Sequence, residues 1–312
     1  MIGKNRFLRW LAMAAFVVTV SNSAAMAQNR LFAVNAFSND ASSPLASYGL
    51  WELDINTGVQ ISGTVITLPG FTVTGANSIT VDPTSGLVYV ILKVSGVSGR
   101  VLATIDLNTG VATSIGNLGD NFSSLAFRAD GQLFGTTGDG ATVPETLYTI
   151  DKTTAAKTLA RPLGNGADGE VIAFNPIDQN FYHWSGNGTI VMEKFTSTPP
   201  YTITPIFTGS VDGEIFGAAW DPCHGDFLVT DISSFMHRVT TDGVFSAPLG
   251  TGVEDQRGLA MIPPYTCRTH TAPTMNLKAM LLLLCTLGIV GAYRLRRARG
   301  AVNRASKMGL GA

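Results

Sequence analysis

Only four histidines and three cysteines occur in the 312 residues, and neither set is spaced for a metal or a nucleophile. His183, His224, His237 and His270 form no H-E-x-x-H pair, which argues against a zinc site of the usual helical kind. No G-x-S-x-G elbow occurs and no cysteine pairs with a histidine, so the common hydrolase nucleophiles are missing. Charge is sparse at 14% of residues, and acidic residues are absent before Asp40 and after Asp255. Between Gln28 and Leu277 the chain has 11 basic against 22 acidic residues, a balance of −11. A body of that sign lacks the basic footprint that nucleic acid requires and excludes that class of partner. Its acidity serves solubility and attracts cations weakly. The body also lacks sustained helical periodicity, which leaves an all-β reading.

What is present is a repeat. A short apolar strand ending in a large residue recurs as ITVDP at Ile79–Pro83, LAFRAD at Leu125–Asp130, IAFNP at Ile172–Pro176, AAWDP at Ala218–Pro222 and LAMIP at Leu259–Pro263. The anchors Val81, Phe127, Phe174, Trp220 and Met261 are 46, 47, 46 and 41 residues apart. A second strand, running into a tight turn, recurs between them: LWELDINTG from Leu50, LATIDLNTG from Leu102, LYTIDKTTA from Leu147, MEKFTS from Met192 and MHRVTTDG from Met236. A period of this length with several short strands per unit is the signature of a β-propeller. Both halves occur five times, so five blades are expected. The body opens with a second-type strand, Leu31–Phe37, and closes with a first-type strand, Gly258–Pro263. Joining the two completes one blade from both termini and removes the free sheet edges.

The repeat also tells which residues to discount. Asp54, Asp106 and Asp151 precede strand-ending turns, where they are expected to accept backbone N–H bonds. The five anchors are expected to pack between blades as core. Gly164-Asn165-Gly166-Ala167-Asp168-Gly169 matches G-x-G-x-x-G, but it links two strands, and a dinucleotide loop needs a helix after it.

Three segments give an address. Lys4, Arg6 and Arg9, the uncharged run Trp10–Val20 and the Ala25-Met26-Ala27 cleavage site read as a signal peptide spanning residues 1–27. The propeller is expected over 28–265 and a linker over 266–277. Ala279–Tyr293 is a short apolar run, bounded by Lys278 and followed by Arg294, Arg296, Arg297 and Arg299. It reads as a thin or tilted membrane span with its basic stop over 278–299, leaving a cytoplasmic tail at 300–312. Cys285 falls in that run. Cys223 and Cys267 fall in the exported body, where a disulfide between them is expected. They leave adjacent innermost strands at the same end of the ring.

Chemistry, if any, belongs at the channel mouth, near the starts of the innermost strands. Those positions are Asn77, Ser123, Glu170, Glu214 and Arg257, with Asp168, Asp212, Glu254 and Asp255 in the adjoining loops. Asp-Gly-Glu recurs in consecutive blades, at Asp168–Glu170 and Asp212–Glu214. Glu170 and Glu214 could hold Ca²⁺ through oxygen ligands, and Arg257 could pair with a substrate carboxylate. The plainer reading is a set of solvated loop charges that stabilise the blade starts. The functional readings are a binding module for an extracellular glycan, protein or small molecule, with no cofactor, and alternatively a metal-assisted hydrolase or lyase.

Two resemblances accompany these motifs. Ala272-Pro273-Thr274-Met275, the short apolar run and Arg294-Leu295-Arg296-Arg297 resemble bacterial IPTL-type C-terminal sorting signals, relatives of the PEP type. The resemblance covers about 28 residues and implies a membrane-bound sorting machinery as partner. Pro273, Thr274, Arg294, Arg296 and Arg297 would be its recognition elements. The repeated L-Y-x-I-D and T-G, at Leu147–Asp151 and Asp106–Gly110, resemble secreted bacterial propellers. That likeness implies a fold and carries no catalytic residue.

Overall fold

Burial separates these strands into buried and largely exposed kinds. Val88–Leu92 and Phe227–Val229 are buried on both faces and so read as continuous apolar runs. Gln60–Val65 and Lys157–Pro162 are mostly exposed and carry polar residues with little pattern. The computed structural model describes residues 29–36, 49–164, 170–186, 189–209, 213–233, 235–250, 255–265 and 267. These residues form five four-stranded antiparallel sheets.

Blade one joins β1 (Arg30–Asn35), β2 (Gly49–Leu53) and β3 (Gln60–Val65) to β20 (Gln256–Ile262) in the order β20-β1-β2-β3. Blade two is β4 (Val73–Val81), β5 (Val88–Val94), β6 (Val101–Ile105) and β7 (Ala112–Asn117). Blade three is β8 (Phe122–Phe127), β9 (Leu133–Thr137), β10 (Thr146–Ile150) and β11 (Lys157–Pro162). Blade four is β12 (Val171–Asn175), β13 (Asn180–Ser185), β14 (Ile190–Thr196) and β15 (Ile203–Gly209). Blade five is β16 (Ile215–Asp221), β17 (Asp226–Asp231), β18 (Phe235–Val239) and β19 (Leu249–Gly250). The expected closure is present: Leu31 lies opposite Met261 and Ala33 opposite Leu259.

The innermost strands β4, β8, β12, β16 and β20 touch in a ring. Serine and threonine hydroxyls stitch neighbouring members: Ser78 Oγ accepts from the Leu125 amide at 2.9 Å, and Ser124 Oγ from the Ile172 amide at 3.1 Å. Between blades two and one the backbones approach so closely that only glycine fits at 258. Its φ is +86°, and a Cβ there would stand 2.6 Å from Ser78 Cα.

Large side chains fill the wedges between blades. Tyr182 of blade four meets Phe227 of blade five at 4.6 Å, and Tyr89 of blade two meets the anchor Phe127 of blade three at 5.1 Å. Each such burial contributes roughly 1.5–3 kcal/mol. The anchors pack between blades as the repeat predicts.

The turn aspartates do what their position predicts. Asp54 accepts from the amides of Asn56 and Thr57, both at 2.9 Å, and Asp106 and Asp151 repeat the pattern. Cys223 and Cys267 form a disulfide with Cα atoms 4.9 Å apart. It ties the turn after β16 to the segment after β20.

Among the described residues no helix is long and apolar enough to cross a membrane. The signal segment at 1–27, the sorting-motif residues Pro273, Thr274, Arg294, Arg296 and Arg297, the apolar run and the tail all lie outside the described residues.

Candidate functional site

Each innermost strand begins at one end of the ring, so whatever precedes it or occupies its first turns faces a common mouth. Asn77 in β4, Ser123 in β8, Glu170 just before β12, Glu214 just before β16 and Arg257 in β20 all line one cavity there. Its volume is about 220 Å³. Asp255 sits beside it on Arg257, whereas Asp168, Asp212 and Glu254 lie outside the described residues.

The two glutamates are not solvated loop charges, as the plainer reading has them. Glu170 is fully buried and Glu214 is 8% exposed. The Glu170 carbonyl accepts from Ser123 Oγ at 2.7 Å and Thr136 Oγ1 at 3.0 Å, which fixes the entry into β12. Its carboxylate is engaged on both oxygens. Oε1 accepts from Ser185 Oγ at 2.7 Å, and Oε2 lies 2.5 Å from His183 Nε2.

His183 itself is fully buried and holds Glu193 Oε1 at 3.0 Å through Nδ1. An imidazole with a carboxylate on each nitrogen satisfies both only as the doubly protonated cation. Burial opposes that charge, but Glu170 and Glu193 together outweigh it and raise the ring's pKa to about 9. Glu170 is thus half of a buried ionic bracket at the cavity wall. Among the described residues no group of three or more His, Cys, Asp or Glu converges in a metal-ligating arrangement.

The cation side of the cavity has two arginines. Arg257 donates from Nε to Asp255 Oδ1 at 2.8 Å and lays its guanidinium over the Phe216 ring, 3.8 Å from the centroid. Those two contacts orient it. Arg100, just before β6, has neither kind of support. No carboxylate among the described residues lies within ion-pair distance, and its Nε is buried without a hydrogen-bond partner. Burial and the neighbouring Arg257 both push its pKa down. Asn77 is 9% exposed, and its side chain makes no hydrogen bond to any described residue.

Sequence reasoning found five of the thirteen lining residues, and those it missed include Arg100, Asn121, Asp139 and Phe216. In an antiparallel blade the second strand ends, and the third begins, at the same end where the first begins. Arg100 follows the Gly-Ser turn Ser95–Gly99 at that end, so blade topology alone would have added it. His183 and Glu193 were also missed. They are register partners on β13 and β14, and a charged residue at each of two facing core positions was the available signal.

The opposite end of the ring is different in kind. A recess of about 270 Å³ is rimmed there by Val81, Phe127, Phe174, Trp220, Met261 and Tyr265. It is apolar because the anchors converge on it.

No protein-family model matches this chain, and no curated protein matches it. Solved structures offer distant likenesses. A structural-genomics protein of unknown function from Bacteroides thetaiotaomicron has 14% identity and a TM-score of 0.46, over 74% of this chain and 62% of that one. An auxiliary nutrient binding protein from the same organism has 14% identity and a TM-score of 0.41, over 71% and 49%. The PQQ-bound aldose sugar dehydrogenase of Streptomyces coelicolor has 14% identity and a TM-score of 0.42, over 68% and 78%. The chain thus spans less than two thirds of the first of these proteins, and at such distances no functional residue is carried across.

Proposed function

We propose that this protein is an exported binding module whose small hydrophilic ligand seats in the cavity at the channel mouth. One observation carries the reading: each of the five innermost strands, or the residue leading into it, brings a polar or charged side chain to one cavity. The commitment of both Glu170 oxygens to Ser185 and His183 favours binding over metal-assisted hydrolysis, since Glu170 was the first ligand that chemistry required. Export and display are supported by the signal-like segment at 1–27, the basic-flanked apolar run and the disulfide, a bond that persists in oxidising compartments. In this proposal the membrane and a sorting machinery that reads the C-terminal motif are partners.

Thermal-shift measurement of the full chain against a panel of sugars, sugar acids and amino acids tests the cavity. A compound that raises the midpoint of the wild type but not of Ser123→Trp, which fills the mouth, would support the reading. Equal shifts in both proteins would overturn it. Protease added to spheroplasts tests export separately, and full protection of the body while the membrane is intact would contradict it.

A further inference from the structure

We propose that the ligand of this cavity is a small hydroxylated carboxylic acid, such as a sugar acid, with its carboxylate gripped by Arg100 beside Arg257. The inference rests on the binding reading above and adds the ligand's chemical class.

The argument begins with what the cavity leaves unmatched. Arginine stays charged in any protein environment, so a half-buried guanidinium needs an anion. Every other half-buried or buried arginine at this end has one: Arg257 has Asp255. Arg100 faces a like charge, and among the described residues no carboxylate answers it. Its backbone is fixed on both sides, the amide donating to the Asp120 carbonyl at 3.0 Å and the carbonyl accepting from the Leu118 amide at 2.8 Å. The side chain is therefore held at the cavity by its own strand and not by a charge partner. A planar guanidinium matches a carboxylate with two parallel N–H donors, which a neutral hydroxyl cannot use as well.

The rest of the lining selects against a bare anion. Glu214 lines the same cavity as the arginines, while the Glu170 carboxylate is already held by His183 and Ser185. An inorganic anion would meet the Glu214 charge, whereas a ligand hydroxyl donates to a carboxylate. Asn77, Ser123 and Asn121 add neutral donors and acceptors. The ligand that meets these groups has a carboxylate for the arginines and hydroxyls for Glu214, Asn77, Ser123 and Asn121. The 220 Å³ cavity holds about seven waters at about 30 Å³ each, the space of one monosaccharide.

Calorimetric titration of the full-length protein with D-glucuronate, its methyl ester and D-glucose decides the matter. The expected result is that glucuronate binds at least about tenfold more tightly than either neutral compound, a difference of about 1.4 kcal/mol. Arg100→Gln should abolish that preference while Ser123→Trp abolishes binding of all three. Should Arg100→Gln fail to fold, the ester still decides, because it removes the charge from the ligand in place of the protein. Equal affinity for glucuronate, ester and glucose, or a preference that survives in folded Arg100→Gln, would sink the carboxylate assignment and leave the cavity as a neutral-ligand site. Absence of binding by all three, with no stabiliser in the wider panel, would overturn this inference and the binding reading together.

Discussion

His183 Nδ1 stands 3.0 Å from Glu193 Oε1, directly across the β13–β14 ladder, in a position no solvent reaches. With Glu170 on the other nitrogen, the ring is a cation clamped between two anions in the wall of the cavity. Blade four thereby couples the geometry of the mouth to the protonation of one side chain.

That coupling has a sign. The folded pKa of His183 is raised to about 9 from 6.5, so its stabilisation is complete below pH 6.5 and is lost as pH rises through about 9. The linked free energy is on the order of 3 kcal/mol. Urea unfolding of the wild type should therefore weaken between neutral pH and about pH 9.5. His183→Gln should be less stable at neutral pH and flat over that window. A wild type as stable at the alkaline end as at neutrality would contradict the bracket.

Asp82 predicts the opposite limb. It is fully buried, and Lys152 Nζ lies 2.6 Å from Oδ2. Burial pushes its pKa upward, but Lys152, the Thr84 amide and the Ser85 and Thr84 hydroxyls prevail and hold it well below the ordinary carboxylate range. Its stabilisation is present above the unfolded value of 3.8 and fades as pH falls below it. Asp82→Asn should cost about 2–3 kcal/mol at neutral pH and lose part of the acid sensitivity. Thermal melts at neutral pH and in acid measure both.

Gly258 tolerates no side chain. Its positive φ and the 2.6 Å approach to Ser78 Cα oppose even a methyl group. Gly258→Ala should destabilise by at least about 2 kcal/mol, from left-handed backbone strain plus displacement of β4. The equivalent change at Gly86, whose Cβ would meet nothing within 4 Å although φ is +74°, should cost only the backbone part. Parallel melts separate the two contributions.

Removing the disulfide should be costly in proportion to the loop it closes. With Cys223 and Cys267 separated by 44 positions, the chain-entropy model gives about 4 kcal/mol. Cys223→Ser with Cys267→Ser should melt earlier by that order. Non-reducing mass spectrometry of the purified protein should find both thiols protected from alkylation.

Much of the fold was legible because its causes are local and repeated. The Leu-x-x-x-Asp strand with its Asn-Thr-Gly turn reports strand, hairpin and period at once, and the mismatched ends, Leu31 and Met261, disclosed the closure. The site was legible only in part. Topology brings Asn77, Ser123, Glu170, Glu214 and Arg257 to one end, so position in the repeat was enough to find them. Orientation was not available. Glu170 looks in sequence like any loop carboxylate, and only the fold turns it inward onto His183. Arg100 was passed over because only the innermost strands were searched, although the turn before the third strand of its blade reaches the same end of the ring.

The pairing of Leu31 with Met261 also sets a timetable. β1 is among the earliest parts of the body to leave a ribosome or a translocon, yet its inner neighbour β20 is among the last, 230 positions later. Blades two to five can each form as their own strands emerge, while β1 through β3 wait as an incomplete sheet with one open edge. Such an edge is a template for pairing with other chains. The interval between the emergence of β3 and of β20 is thus when this protein is most exposed to misassembly.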